Sequence, residues 1–119
     1  LAGALLRPKA AEHERSLERA LTYIREHAGE ELTLSQVAKV AGFAPSYFSR
    51  LFAASERTTF QKYLAGLRVE RAQSMLESTD VAIERVGKLS GFRSRTRFHL
   101  AFKQACGVTP AGYRERCRA

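Results

Sequence analysis

Basic side chains crowd the C-terminal stretch of this 119-residue chain. Residues 93–119 hold Arg93, Arg95, Arg97, Lys103, Arg114, Arg116 and Arg118 against one acid, Glu115. Guanidinium forks and ammonium groups in such numbers suit phosphates and other polyanions. The whole chain has 20 basic and 12 acidic residues, a net charge of +8 and a pI of about 10.1. That balance points to a polyanionic partner rather than a small acidic substrate. Covalent or acid–base chemistry is not expected. The sequence presents no nucleophile–base pair, no metal-ligand cluster and no phosphate loop, and it places no evident catalytic group beside His13, His27 or His99. Cys106 and Cys117 lack the CxxC spacing of a zinc site, and reduced thiols are expected over a disulfide. The expectation is therefore a protein without metal, cofactor or enzymatic activity.

The elements that must position these basic residues are written twice. Val37-Ala38-Lys39-Val40-Ala41-Gly42-Phe43 returns as Val86-Gly87-Lys88-Leu89-Ser90-Gly91-Phe92, with four of seven positions identical. Phe48 and Phe52 are matched by Phe98 and Phe102, and Thr59 and Tyr63 by Thr109 and Tyr113. The offset is 49 residues up to the Gly-Phe pair and 50 beyond it, so the second copy has one extra residue in that turn. A repeat of this period indicates duplicated supersecondary units.

Apolar spacing and punctuation give a helical reading throughout. Trp is absent, Pro is scarce and no β-branched run occurs. Residues 1–10, interrupted by Pro8, read as a linker. Leu17, Ala20, Leu21, Ile24 and Ala28 then form one face of a helix over about 11–28. Thr33-Leu34-Ser35-Gln36 is a capping-box pattern opening a short helix that ends at Gly42. Pro45 suits the first turn of the next helix, to about Ser55. A long helix runs from Phe60 to about Glu77. The second copy follows with helices over 83–90 and 95–106, the latter capped by Ser94 and ended by Gly107. Thr109-Pro110 opens a last helix. The expected fold is all-α: seven helices forming two helix-turn-helix subdomains joined by a long linker helix. The boundaries are 1–10 linker, 11–58 first subdomain, 59–78 linker helix and 79–119 second subdomain. The helical spacing of the phenylalanines assigns them to the core rather than to base stacking. Lys39 and Lys88 read by default as solvated surface.

At these positions the chain resembles the DNA-binding domain of the AraC/XylS family of bacterial transcription regulators. The resemblance covers about residues 17–114. It rests on Val86-x-x-x-x-Gly91-Phe92, Phe98-x-x-x-Phe102-Lys103 and Gly107-x-Thr109-Pro110-x-x-Tyr113-Arg114 in the second half. The first half adds Val37-Ala38-x-x-Ala41-Gly42-Phe43 and Tyr63-Leu64-x-x-x-Arg68-x-x-x-Ala72. It implies double-stranded DNA as the partner, with the second helix of each subdomain in a major groove. By position in the family pattern, Ser46, Ser49 and Arg50 would read bases in the first half, and Arg95, Thr96, Arg97 and His99 in the second. Arg50 could take guanine O6 and N7 together. Arg50 could instead pair with a phosphate or a nearby Glu. The two serines leave phosphate or water-bridged contact equally open, Arg95 and Arg97 leave base and phosphate open, and His99 leaves base contact and plain solvation open. Candidate backbone contacts are Thr33, Tyr47, Arg93, Ser94 and Lys103; Tyr47 could instead be a packing residue.

Departures from the family pattern carry expectations of their own. Leu100 stands where many relatives carry the arginine matching Arg50, so the second half either reads through its N-terminal arginines or mostly holds the backbone. Arg57 replaces the glycine expected from Gly107, and Ala82 replaces the cap expected from Thr33. The resemblance also implies a transcription activator contacting RNA polymerase, with an N-terminal effector or dimerisation domain missing from this chain, which begins with Leu rather than Met. No apolar run approaches the roughly 20 residues of a membrane span, and a cytoplasmic, non-membrane protein is expected. The alternative is a protein-interaction module that uses the helix-turn-helix only as a scaffold.

Overall fold

A computed structural model describes the backbone of residues 2–119 and the side chains of residues 11–119. Among these residues the fold is all helical: α1 Ala2–His27, α2 Leu34–Ala41, α3 Pro45–Glu56, α4 Phe60–Ser78, α5 Ile83–Leu89, α6 Arg95–Cys106 and α7 Pro110–Arg118. The expected boundaries of α2 to α7 agree to within a residue or two. α1 is a correction. It begins at Ala2, so residues 2–10 are helix rather than linker. Pro8 removes one backbone donor, yet the Ala, Leu, Arg and Lys residues around it are strong helix formers and sustain the helix through it.

The chain divides into two compact units. One gathers the residues up to His27 and Leu32–Phe60; the other gathers Ala28–Glu31 and Gln61–Ala119. In the first, α1 packs on α2 and α2 on α3. Leu17, Ala20 and Ile24 of α1 are buried, as are Val37, Ala38 and Ala41 of α2 and Phe48 and Phe52 of α3. The capping box is formed in full: Gln36 N–H donates to Thr33 Oγ1 at 3.2 Å and Thr33 N–H to Gln36 Oε1 at 2.9 Å. Gly42 ends α2 at φ 82°, a left-handed conformation that favours glycine. The Phe48 and Phe52 rings lie 5.8 Å apart, and Phe52 meets Phe60 edge-on at 6.2 Å. Burying each such ring contributes about 1.5–3 kcal/mol.

The second unit is built on α4. Val69, Ala72 and Leu76 form one core with Val86, Phe92, Phe98 and Phe102, and Met75, Ile83 and Tyr113 pack against it. From Gln61 onward α4 therefore supplies core to the second half as well as continuing the chain. Ser94 caps α6 by accepting from Arg97 N–H at 3.1 Å, and Thr109 caps α7 by accepting from Gly112 N–H at 3.1 Å. Ala82 leaves α5 without a side-chain cap, as its sequence implies.

Two arginines show that the duplication extends to loop anchoring. Arg68 donates from Nε to Ala28 O at 2.8 Å and from Nη2 to Glu30 O at 2.9 Å, holding the segment before α2. Arg118 donates from Nη2 to Thr79 O at 2.9 Å, holding the segment before α5. Glu30 and Thr79 are 49 residues apart, Arg68 and Arg118 are 50, so the same bond recurs at the repeat's own offsets. Burial lowers the Arg68 pKa. α7 is tied down further by Arg114, which donates to Leu76 O at 3.3 Å and Val81 O at 2.7 Å, and by the Tyr113 hydroxyl donating to Glu77. That bond is the main reason the Tyr113 phenol titrates above its usual range.

Candidate nucleic-acid interface

The second helix of each repeat, α3 and α6, is fixed by two phenylalanines one turn apart. Phe48 and Phe52 are 0% exposed, Phe98 1% and Phe102 0%. At about 100° per residue, a position midway between such a pair points away from both. Arg50 holds that position in α3 and Leu100 in α6, and both are exposed. Core packing thus determines which side chains each helix presents.

On α3 the outward set is Ser46, Tyr47, Ser49 and Arg50, all exposed. Among the described residues Arg50 makes no ion pair, so its fork is available. Tyr47 is partly committed elsewhere. Its ring packs edge-on against Phe43 at 5.3 Å, and its hydroxyl lies 3.5 Å from His13 Nδ1 of α1. His13 therefore has a partner that its sequence position did not reveal. The pairing crosses 34 residues and has no local signal.

On α6, Arg95, Thr96, Arg97 and Lys103 are exposed. Arg95 Nη1 lies 3.1 Å from Glu84 Oε1 of α5, and Arg93, in the turn before α6, pairs with Glu31. Arg97 carries no ion pair among the described residues. His99 is half-buried, with its ring edge-on to Phe98 at 5.5 Å and its Nε2 buried without a hydrogen-bond partner. That nitrogen is turned away from solvent. The hydroxyls of Thr33 and Ser94 are engaged in their caps. The two carboxylates that meet Arg93 and Arg95 have no local sequence signal, because each pair joins separate elements. Cys106 and Cys117 are free thiols. Burial raises the Cys106 pKa, and a hydrogen bond from Gln73 partly opposes it.

A family model described as a helix-turn-helix domain matches residues 37–116, both copies together. The DNA-binding domain of the global transcriptional factor AdpA, solved in complex with a target DNA, is 28% identical. It superposes with a TM-score of 0.81 over 86% of this chain and 92% of that one. The chain belongs to the AraC/XylS family of helix-turn-helix DNA-binding domains. The MmsAB operon regulatory protein of Pseudomonas aeruginosa is 34% identical over 115 residues, which is 96% of this chain and 37% of that protein. The xylose-binding transcription activator xylR is 28% identical with a TM-score of 0.74, over 86% of this chain and 27% of that one. This AraC/XylS domain thus spans well under half the length of the MmsAB regulator and xylR. No helix among its described residues is long and apolar enough to cross a membrane.

Proposed function

We propose that this domain reads double-stranded DNA sequence-specifically at two places, with α3 and α6 each laid in a major groove. The observation that carries the reading is Arg50: exposed, unpaired among the described residues, and centred on the outward face of a helix anchored by two buried phenylalanines. Ser46, Ser49 and Arg50 contact bases from α3, and Arg95, Thr96 and Arg97 from α6. His99 contributes only from the part of its ring left exposed. Thr33, Tyr47, Arg93, Ser94 and Lys103 hold phosphates. Arg93 and Arg95 start from ion pairs with Glu31 and Glu84, so engaging DNA exchanges one anionic partner for another. Exposed pairs of this kind are worth about 0–1 kcal/mol, so the exchange costs little.

In the whole protein, the domain serves a cytoplasmic bacterial regulator joined to an N-terminal effector or dimerisation domain. It activates transcription by contact with RNA polymerase. The likeness to xylR, itself a xylose-binding activator in which this chain matches 27% of the length, supports that arrangement.

The test is selection from random duplexes by the 119-residue chain at near-physiological salt. The expected product is an asymmetric site of about 20 base pairs, with two blocks about one helical turn apart. Affinity should fall with salt at a log–log slope of about −0.9 per phosphate neutralised. Arg50→Ala should weaken binding to the selected site by about 1–3 kcal/mol and relax preference in one block, with the circular dichroism unchanged. No enrichment together with salt-independent binding would falsify the reading.

A further inference from the structure

The second reading helix places a leucine at the centre of its DNA-facing surface. Leu100 is 57% exposed, more than any other large apolar side chain among the described residues. It lies midway between buried Phe98 and Phe102 and so points directly outward. One turn to either side, Thr96, Arg97, Lys103 and Gln104 are also exposed. Its twin in α3 is Arg50, 50 residues earlier. A leucine offers no hydrogen bond to a phosphate or to the edge of guanine. Set against such groups it would strip their hydration and return nothing. The major groove presents one apolar group, the C5-methyl of thymine.

We propose that Leu100 is a specificity-determining residue that recognises thymine by its methyl group, while Arg50 in the first copy recognises guanine by hydrogen bonds. The proposal rests on the DNA-reading assignment above. The flanking cations of α6 bring the helix to the polyanion, and Leu100 gains contact only where a thymine methyl lies beneath it. Thr96, one turn before Leu100, carries a methyl of its own and can extend the apolar contact. The two halves would thus read chemically different features of DNA from the same position of the repeat.

The experiment uses the 119-residue chain and its selected duplex. Each thymine is replaced in turn by uracil, which removes the methyl and keeps every hydrogen-bonding group. Affinity is measured by fluorescence anisotropy for the wild type and for Leu100→Ala. In the wild type, uracil at one or two adjacent positions should weaken binding about fourfold per methyl, the worth of one buried methyl group. Leu100→Ala should bind the thymine duplex several-fold more weakly and be indifferent to uracil at those positions. Leu100→Met, which keeps an apolar tip, should retain the dependence. Leu100 is exposed, so these variants should keep the wild-type helical circular dichroism.

Three results would overturn the proposal. Uracil could leave wild-type affinity unchanged at every position. The methyl dependence could persist in Leu100→Ala. A selection with Leu100→Ala could return the wild-type base preferences. In each of these, retained specific binding would leave the DNA reading standing and point to Leu100 as a protein-contact residue. Absence of any selected site would also overturn this proposal, and with salt-independent binding it would remove the DNA reading as well.

Discussion

The two helix-turn-helix copies solve the same packing problem with different local devices. α2 is secured by a complete capping box, whereas α5 follows Ala82 with no side-chain cap; α3 follows Ala44 with none, whereas α6 is capped by Ser94. α6 ends on Gly107 at φ 76°, and α3 ends on Arg57 at φ 56°, the one non-glycine with positive φ among the described residues. The fully buried Ala38 of α2 is answered by Gly87 of α5, where a Cβ would come within 2.5 Å of the Phe98 ring. The outward centres differ as well, Arg50 against Leu100. What does not differ is the Gly-Phe pair with its positive-φ glycine, the phenylalanine pair on α3 or α6, and the arginine anchoring the segment before α2 or α5. Caps are worth about 1 kcal/mol each and can be exchanged between helices. The phenylalanine pair sets which face of α3 or α6 is outward, and it cannot move without moving that face.

The largest expected effect tests that shared requirement. Phe48→Ala and Phe98→Ala should each cost about 3–5 kcal/mol. Because each lies in its own compact unit, hydrogen exchange should quicken mainly in the unit carrying the change. Equal loss of protection across both units would break the comparison, since it would mean that the copies do not fold as separable units.

A middle-sized effect probes the tight approach in the second copy. Gly87→Ala should lower stability by about 1–2 kcal/mol, overpacking against Phe98 outweighing a helix-propensity gain of about 1 kcal/mol. Denaturant midpoints would measure it, and a stabilised variant would show that the Phe98 ring can yield to the added methyl. The smallest effect concerns the helix ends. Arg57→Gly should stabilise by up to about 1 kcal/mol by relieving the left-handed backbone. A thermal melt showing a loss instead would mean that the Arg57 side chain makes a contribution larger than that strain.

Much of this fold follows from local sequence rules. The capping box at Thr33, Pro45 and Pro110 at first helical positions, and Gly42 and Gly107 at helix ends each act within one turn of chain. Their outcomes could therefore be read without the rest of the molecule. The repeat offsets located α3 and α6 and placed Arg50 and Leu100 at matching positions. Residues 2–10 depart from the expected linker because the helix formers around Pro8 outweigh the one donor it removes.

Other features depend on elements meeting in space, where sequence separation carries no signal. The pairing of Arg95 with Glu84 and of Arg93 with Glu31 joins residues on different elements. So does the contact of Tyr47 with His13, 34 residues away. The inward turn of His99 Nε2 follows from how α6 settles onto its core. By itself, then, the sequence determined where helices start and stop and which side chains stand opposite the core, because backbone hydrogen bonding and helical periodicity act locally. Only the tertiary structure decided which outward side chains are already held by a neighbour, because that depends on the charges and rings that packing brings beside them.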